Sequence, residues 1–130
     1  MNTCSDRFKI DDWNRVMKIS NLSNLPQQAV SHNPEISKKV MLVKGDLPHL
    51  TNFSQATFAP GQIAISHAHR DMSEVFFVSA GTGKIRIDEV EYPLAPGVCV
   101  AVEVGETHEI TNTGAENLVL TYFGIANCEE

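Results

Sequence analysis

Residues 61–81 read GQIAISHAHRDMSEVFFVSAG, and their pattern decides the fold. Two short apolar runs, Ile63–His69 and Val75–Ala80, flank the polar stretch Arg70-Asp71-Met72-Ser73. That is the pattern of two strands joined by a turn. His67 and His69 are two apart, so on a strand both side chains point to one face. A hairpin at the turn brings Glu74, at the head of the second strand, beside them.

The same texture extends outward. Val40–Val43 and Phe53–Phe58 precede this stretch; Ile85–Ile87, Val98–Val104, His108–Ile110 and Leu118–Phe123 follow it. Between them lie turn signals such as Ala59-Pro60-Gly61, Ala95-Pro96-Gly97 and Asn112-Thr113-Gly114. Many short strands punctuated by Gly and Pro imply an all-β sandwich or barrel. The connections are too short for crossover helices, which excludes a parallel α/β sheet. Within Val98–Val104 one side-chain parity faces the interior, and Cys99 reads as a small core residue.

Before Lys39 apolar residues are sparse. Trp13, Val16 and Met17 have helical spacing after Asp11 and Asp12, and Asn33-Pro34-Glu35 resembles a helix start. Residues 1–38 are therefore expected to form a partly helical extension, and 39–127 the barrel domain. At 130 residues and 14.3 kDa the chain has the size of one compact domain. Ten Lys and Arg against sixteen Asp and Glu give a net charge of −6, with no basic run to meet a phosphate backbone, so nucleic acid is not an expected partner. No apolar stretch is long enough for a bilayer, so no membrane association is expected. The polar first ten residues lack a signal-peptide core. A cytoplasmic protein is expected. Cys4, Cys99 and Cys128 form no C-x-x-C pair and read as reduced thiols.

One histidine in a strand is ordinarily structural. The joint placement of His67, His69, Glu74 and His108 is different, because three imidazoles and a carboxylate suit a first-row transition metal. Fe, Mn, Ni, Zn and Cu all remain open. His32 and His49 lie in loops without such company. Three neutral histidines and one carboxylate around a divalent ion leave a net charge of about +1. Two positions of a six-coordinate ion stay open for water, oxygen or a bidentate substrate.

These residues also carry a resemblance to the cupins. That family's first motif, G-x5-H-x-H-x4-E-x6-G, is matched without a gap by Gly61, His67, His69, Glu74 and Gly81. Its second, G-x5-P-x-G-x2-H-x3-N, is matched by Gly97, Gly105, His108 and Asn112, with Glu103 in place of proline. The resemblance spans about residues 50–125 and implies a double-stranded β-helix, the jelly-roll cupin barrel. It implies one divalent metal held by His67, His69, Glu74 and His108. Asn112 and Glu103 are read as a turn residue and a solvated side chain.

Phe76 and Val78 share strand parity with Glu74 and are expected in the substrate pocket. The resemblance implies a small-molecule enzyme of dioxygenase, lyase or isomerase type, with an anionic or chelating substrate. Fold does not choose among these reactions. The alternative is a metal-dependent small-molecule binding or sensor protein without turnover; a storage-type barrel ranks last because the histidines are intact. Glu106, Tyr92 and Tyr122 are the candidate bases. The family commonly dimerises through an N-terminal strand that covers a sheet edge, so a homodimer using Val40–Val43 is expected.

Overall fold

The computed structural model describes residues 16–31 and 33–127. Ten strands are found among them: β1 (Gln28–Val30), β2 (Asn33–Val43), β3 (Leu50–Phe58), β4 (Ile63–His67), β5 (Met72–Ala80), β6 (Gly83–Ile87), β7 (Val90–Leu94), β8 (Cys99–Val102), β9 (His108–Asn112) and β10 (Leu118–Ala126). They form two antiparallel sheets, one in the order β1-β2-β3-β10-β5-β8 and one in the order β4-β9-β6-β7. This is the all-β, two-sheet jelly roll expected from the sequence. The core between the sheets includes Ile36, Phe58, Val78, Ile85, Leu118 and Leu120, each at most 3% exposed.

Register in the large sheet aligns inward-facing residues into rows. Ser54, Tyr122, Phe76 and Val100 make one row, and Asn52, Gly124, Glu74 and Val102 the next. Directly opposed side chains share a face, so the rows set what meets inside the barrel. In β8 the inward parity is that of Val100 and Val102, continued by Val98. Cys99 takes the opposite parity and is exposed, which corrects its reading as a core residue.

The N-terminal region differs from expectation. Asn33-Pro34-Glu35 starts β2 rather than a helix. Pro34 is tolerated because the ladder from β2 to β3 begins only at Ser37, so its missing N–H removes no bond from that ladder. The expected boundary at residue 38 thus falls inside a strand. Val40–Val43 pairs with β3 of the same chain on one side, while on the other side β1 covers β2 only as far as Lys38. Val16 and Met17 are exposed and irregular, while Trp13, Cys4, His32 and Cys128 lie outside the described residues. Strand β7 was not expected from the sequence, since Glu91 and Pro93 break its apolar pattern. It is an edge strand, where such residues are admitted.

Candidate metal centre

Two local devices aim the histidines. In the β4–β9 ladder Ala64 pairs with Ile110 and His67 with His108, so β4 has one extra residue over this interval. This is a β-bulge at Ile65–Ser66, and it reverses side-chain parity. Ala64 is buried, Ile65 and Ser66 are exposed, and His67 turns inward to the cavity. Without the bulge, the parity that buries Ala64 would send His67 outward. Strand β4 ends at His67, so His69 sits just beyond it rather than on it. The His69 carbonyl accepts from the Gly105 N–H at 2.8 Å, tying this segment to the turn before His108.

That turn lacks the family proline and is closed by other means. Glu106 N–H donates to the Glu103 carbonyl at 3.1 Å, and Glu106 Oε1 accepts from the Glu103 N–H at 2.9 Å. Glu103 itself is exposed, as expected. Reciprocal bonds between Thr107 and Asp88 (2.7 and 3.1 Å) then fix the backbone where β9 begins.

The sequence-identified quartet comes together. Donor atoms of His67, His69, Glu74 and His108 all lie within 4.8 Å of one another. Glu74 Oε1 is 3.2 Å from His69 Nε2 and 3.3 Å from His108 Nε2. His67 Nδ1 lies 2.7 Å from the Ile65 carbonyl, and His108 Nδ1 lies 3.2 Å from the Glu106 carbonyl. A backbone carbonyl can only accept, so each Nδ1 carries a proton, and in the neutral imidazole each Nε2 presents a lone pair. His108 Nε2 is buried and has no hydrogen-bond partner. It faces a carboxylate oxygen, itself an acceptor. Acceptors converging on one point at this range repel unless a cation stands between them. A metal ion fits that requirement, and Nδ1–H bonded to carbonyl is the usual outer support of a metal-binding imidazole.

Beside the cluster is a cavity with about 140 Å³ of space open to water-sized molecules. An apolar cavity of about 150 Å³ holds a benzene-sized molecule, so the contents here are small. Phe76, Tyr122, Ile110 and Ala64 form its apolar wall. Phe76, expected from the sequence in a substrate pocket, lines this cavity. Val78, expected beside it, does not line the cavity; at 1% exposure it is closed into the core. Of the three candidate bases only Tyr122 reaches the cavity. Tyr92 is 48% exposed on edge strand β7, and the Glu106 carboxylate closes the turn. The Tyr122 ring stacks on Phe76 at 5.5 Å between centroids. Burial first, and the nearby Glu74 carboxylate second, push its phenol up to about 12, against the pull of a hydrogen bond with Ser54. Tyr122 is therefore a proton-bearing donor at neutral pH and not a base. Asn112, also in the second motif, is structural: its amide donates to the carbonyls of Phe58 (2.9 Å) and Glu116 (2.8 Å), and its oxygen accepts from Gly114 N–H.

Comparison with known proteins agrees with the fold. The cupin domain model matches residues 54–124, and the chain belongs to that family. A predicted oxalate decarboxylase from Thermotoga maritima is 21% identical, with a TM-score of 0.78 over 84% of this chain and 99% of that one. KdgF from Halomonas sp. is 19% identical, with a TM-score of 0.68 over 85% and 94% of the two chains. The cupin domain of Schizosaccharomyces pombe Cnp3 is 13% identical, with a TM-score of 0.70 over 82% and 68%. At these identities the likeness concerns the fold. No curated protein matches the sequence. Among the described residues no helix is long and apolar enough to cross a membrane.

Proposed function

We propose that the chain is a mononuclear metal cupin in which His67, His69, Glu74 and His108 hold one divalent transition metal. We further propose that it is an enzyme acting on a small anionic or chelating organic substrate. The observation that carries this reading is the buried convergence of His108 Nε2 and Glu74 Oε1, two acceptors 3.3 Å apart. When bound, the metal supplies Lewis-acid polarisation of a substrate oxygen or acidification of a bound water. The chain's own contribution is positional. The bulge and the Glu103–Glu106 turn fix the imidazoles, Phe76 and Ile110 exclude water from one side, and the Tyr122 hydroxyl offers a proton to an oxygen in the cavity.

The test is turnover. Protein reconstituted separately with Fe(II), Mn(II), Ni(II) and Zn(II) is incubated with small carboxylates and phenolics while oxygen uptake and substrate loss are followed. Oxalate joins the set because the Thermotoga neighbour is described as a predicted oxalate decarboxylase. Turnover in the wild type that disappears in Glu74→Gln supports the enzyme. Tight binding with no loss of any substrate moves the protein to a non-catalytic binding role at the same centre. We also propose a homodimer in the cytoplasm; a monomeric mass in solution scattering at micromolar concentration contradicts the dimer.

A further inference from the structure

Lys38 stands in an otherwise uncharged row of the barrel. It is in register with Ala56 of β3, and that row continues through Leu120 and Val78. Ala56, Leu120 and Val78 are 3%, 1% and 1% exposed, so the row faces the interior. Lys38 is half-buried and lines the same cavity as the histidine–glutamate cluster. Its neighbours Ser37 and Lys39 line a second pocket with Gln55 and Thr57, which Lys38 also borders, and the Lys39 ammonium donates to the Leu22 carbonyl at 3.2 Å. None of the ion pairs among the described residues involves Lys38.

An ammonium turned into an apolar barrel loses hydration and needs a counter-charge. The cavity's own carboxylate, Glu74, does not supply it, because its oxygen lies within 3.3 Å of the His69 and His108 Nε2 atoms as part of the donor cluster. Glu74 also lies in the row of Gly124, four residues along β10 from the Leu120 row, a separation of about 13 Å. Inward-pointing lysines also serve to guard exposed sheet edges, but at Lys38 the outer side of β2 is paired, with Gln28 of β1. The cavity thus has a cationic group at one end, an apolar waist at Phe76 and Tyr122, and the donor cluster at the other.

We propose that Lys38 is a carboxylate anchor and that the cavity takes a short-chain dicarboxylic acid. One carboxylate pairs with the Lys38 ammonium, and the other end faces His67, His69, Glu74 and His108. The head of this arrangement rests on the metal reading above; the Lys38 end does not.

The experiment is calorimetric titration at pH 8 of the full chain, loaded with Ni(II) and also metal-free. The ligands are succinate, glutarate and adipate, their mono-amides, and acetohydroxamate, which reaches only the metal. The expected result is that at least one diacid binds the loaded protein tenfold or more tighter than its mono-amide. Lys38→Met should abolish that preference while leaving acetohydroxamate affinity and nickel content unchanged, and Lys38→Arg should retain it. Equal binding of diacids and mono-amides by the wild type overturns the anchor, as does failure of every acid to bind. If the protein takes up none of Ni(II), Fe(II), Mn(II), Zn(II) and Cu(II), the metal reading fails on its own. The anchor is then judged on metal-free protein, where butyrate should shift the amide resonances of Ala56 and Leu120 in the wild type and not in Lys38→Met. An absence of those shifts in the wild type overturns it.

Discussion

His108 Nε2 lies 3.3 Å from Glu74 Oε1 across the barrel interior, and with the imidazole neutral and its Nδ1–H engaged by the Glu106 carbonyl neither atom has a proton to share. One side chain comes from β9 of the smaller sheet and the other from β5 of the larger. A cation bound between them therefore also links the two sheets.

Metal should accordingly stabilise the fold. A ligand at about 100 times its dissociation constant adds about 2.7 kcal/mol, which for a domain near this size corresponds to a rise in melting temperature of roughly 5–15 °C. Differential scanning fluorimetry with and without Ni(II) should show that rise in the wild type. Glu74→Gln should show little or none.

Tyr122 should make the fold sensitive to alkali. Its phenol titrates near 12 in the folded protein and near 10 in the unfolded chain, so between those values the unfolded state releases the proton first. The stabilisation is complete below pH 10 and is lost as pH rises toward 12, by on the order of 2 kcal/mol. Urea midpoints at pH 8 and pH 11 should fall more for the wild type than for Tyr122→Phe. In a Tyr92→Phe background, phenolate absorbance at pH 11 should be about a tenth of the full value until the protein is unfolded.

Much of this was legible in sequence because it depends on period and spacing. Alternating apolar runs gave the all-β class, and the residues from Gly61 to Gly81 together with Gly97, Gly105 and His108 identified the barrel and the donor quartet. What escaped has local causes. The bulge at Ile65–Ser66 has no marker such as glycine, so the apolar pattern alone runs on to His69. Pro34 read as a helix start because its place ahead of a ladder depends on tertiary pairing. Cys99 could not be given a side without knowing the parity of β8. Lys38 carries no signal in the sequence, because a charged residue in a strand ordinarily faces solvent.

Asn112 should matter for stability and not for metal. Replacing it with Ala leaves the Phe58 and Glu116 carbonyls and the Gly114 N–H without their partner. A cost of about 2–4 kcal/mol is expected from uncompensated buried groups. Urea unfolding should show that loss, with metal stoichiometry in the folded fraction unchanged.

Two turn glycines should respond differently to alanine. Gly81 and Gly97 have φ of +84° and +93°, so both substitutions carry the left-handed backbone cost of about 1–2 kcal/mol. A Cβ on Gly97 meets open space, whereas on Gly81 it meets the Asn117 carbonyl and lies 2.7 Å from Leu118 Cα. Gly97→Ala should fold with a modest loss, and Gly81→Ala should be the more severe, judged by melting temperature and soluble yield.

The account rests on a cation between Glu74 and the three imidazoles, and metal content by plasma mass spectrometry tests that directly. Untagged wild type should carry about one equivalent of one transition metal, as isolated or after reconstitution. A His67→Ala, His108→Ala double variant with an unchanged circular dichroism spectrum should carry none. Metal absent from both after reconstitution, or equal in both, would contradict the account.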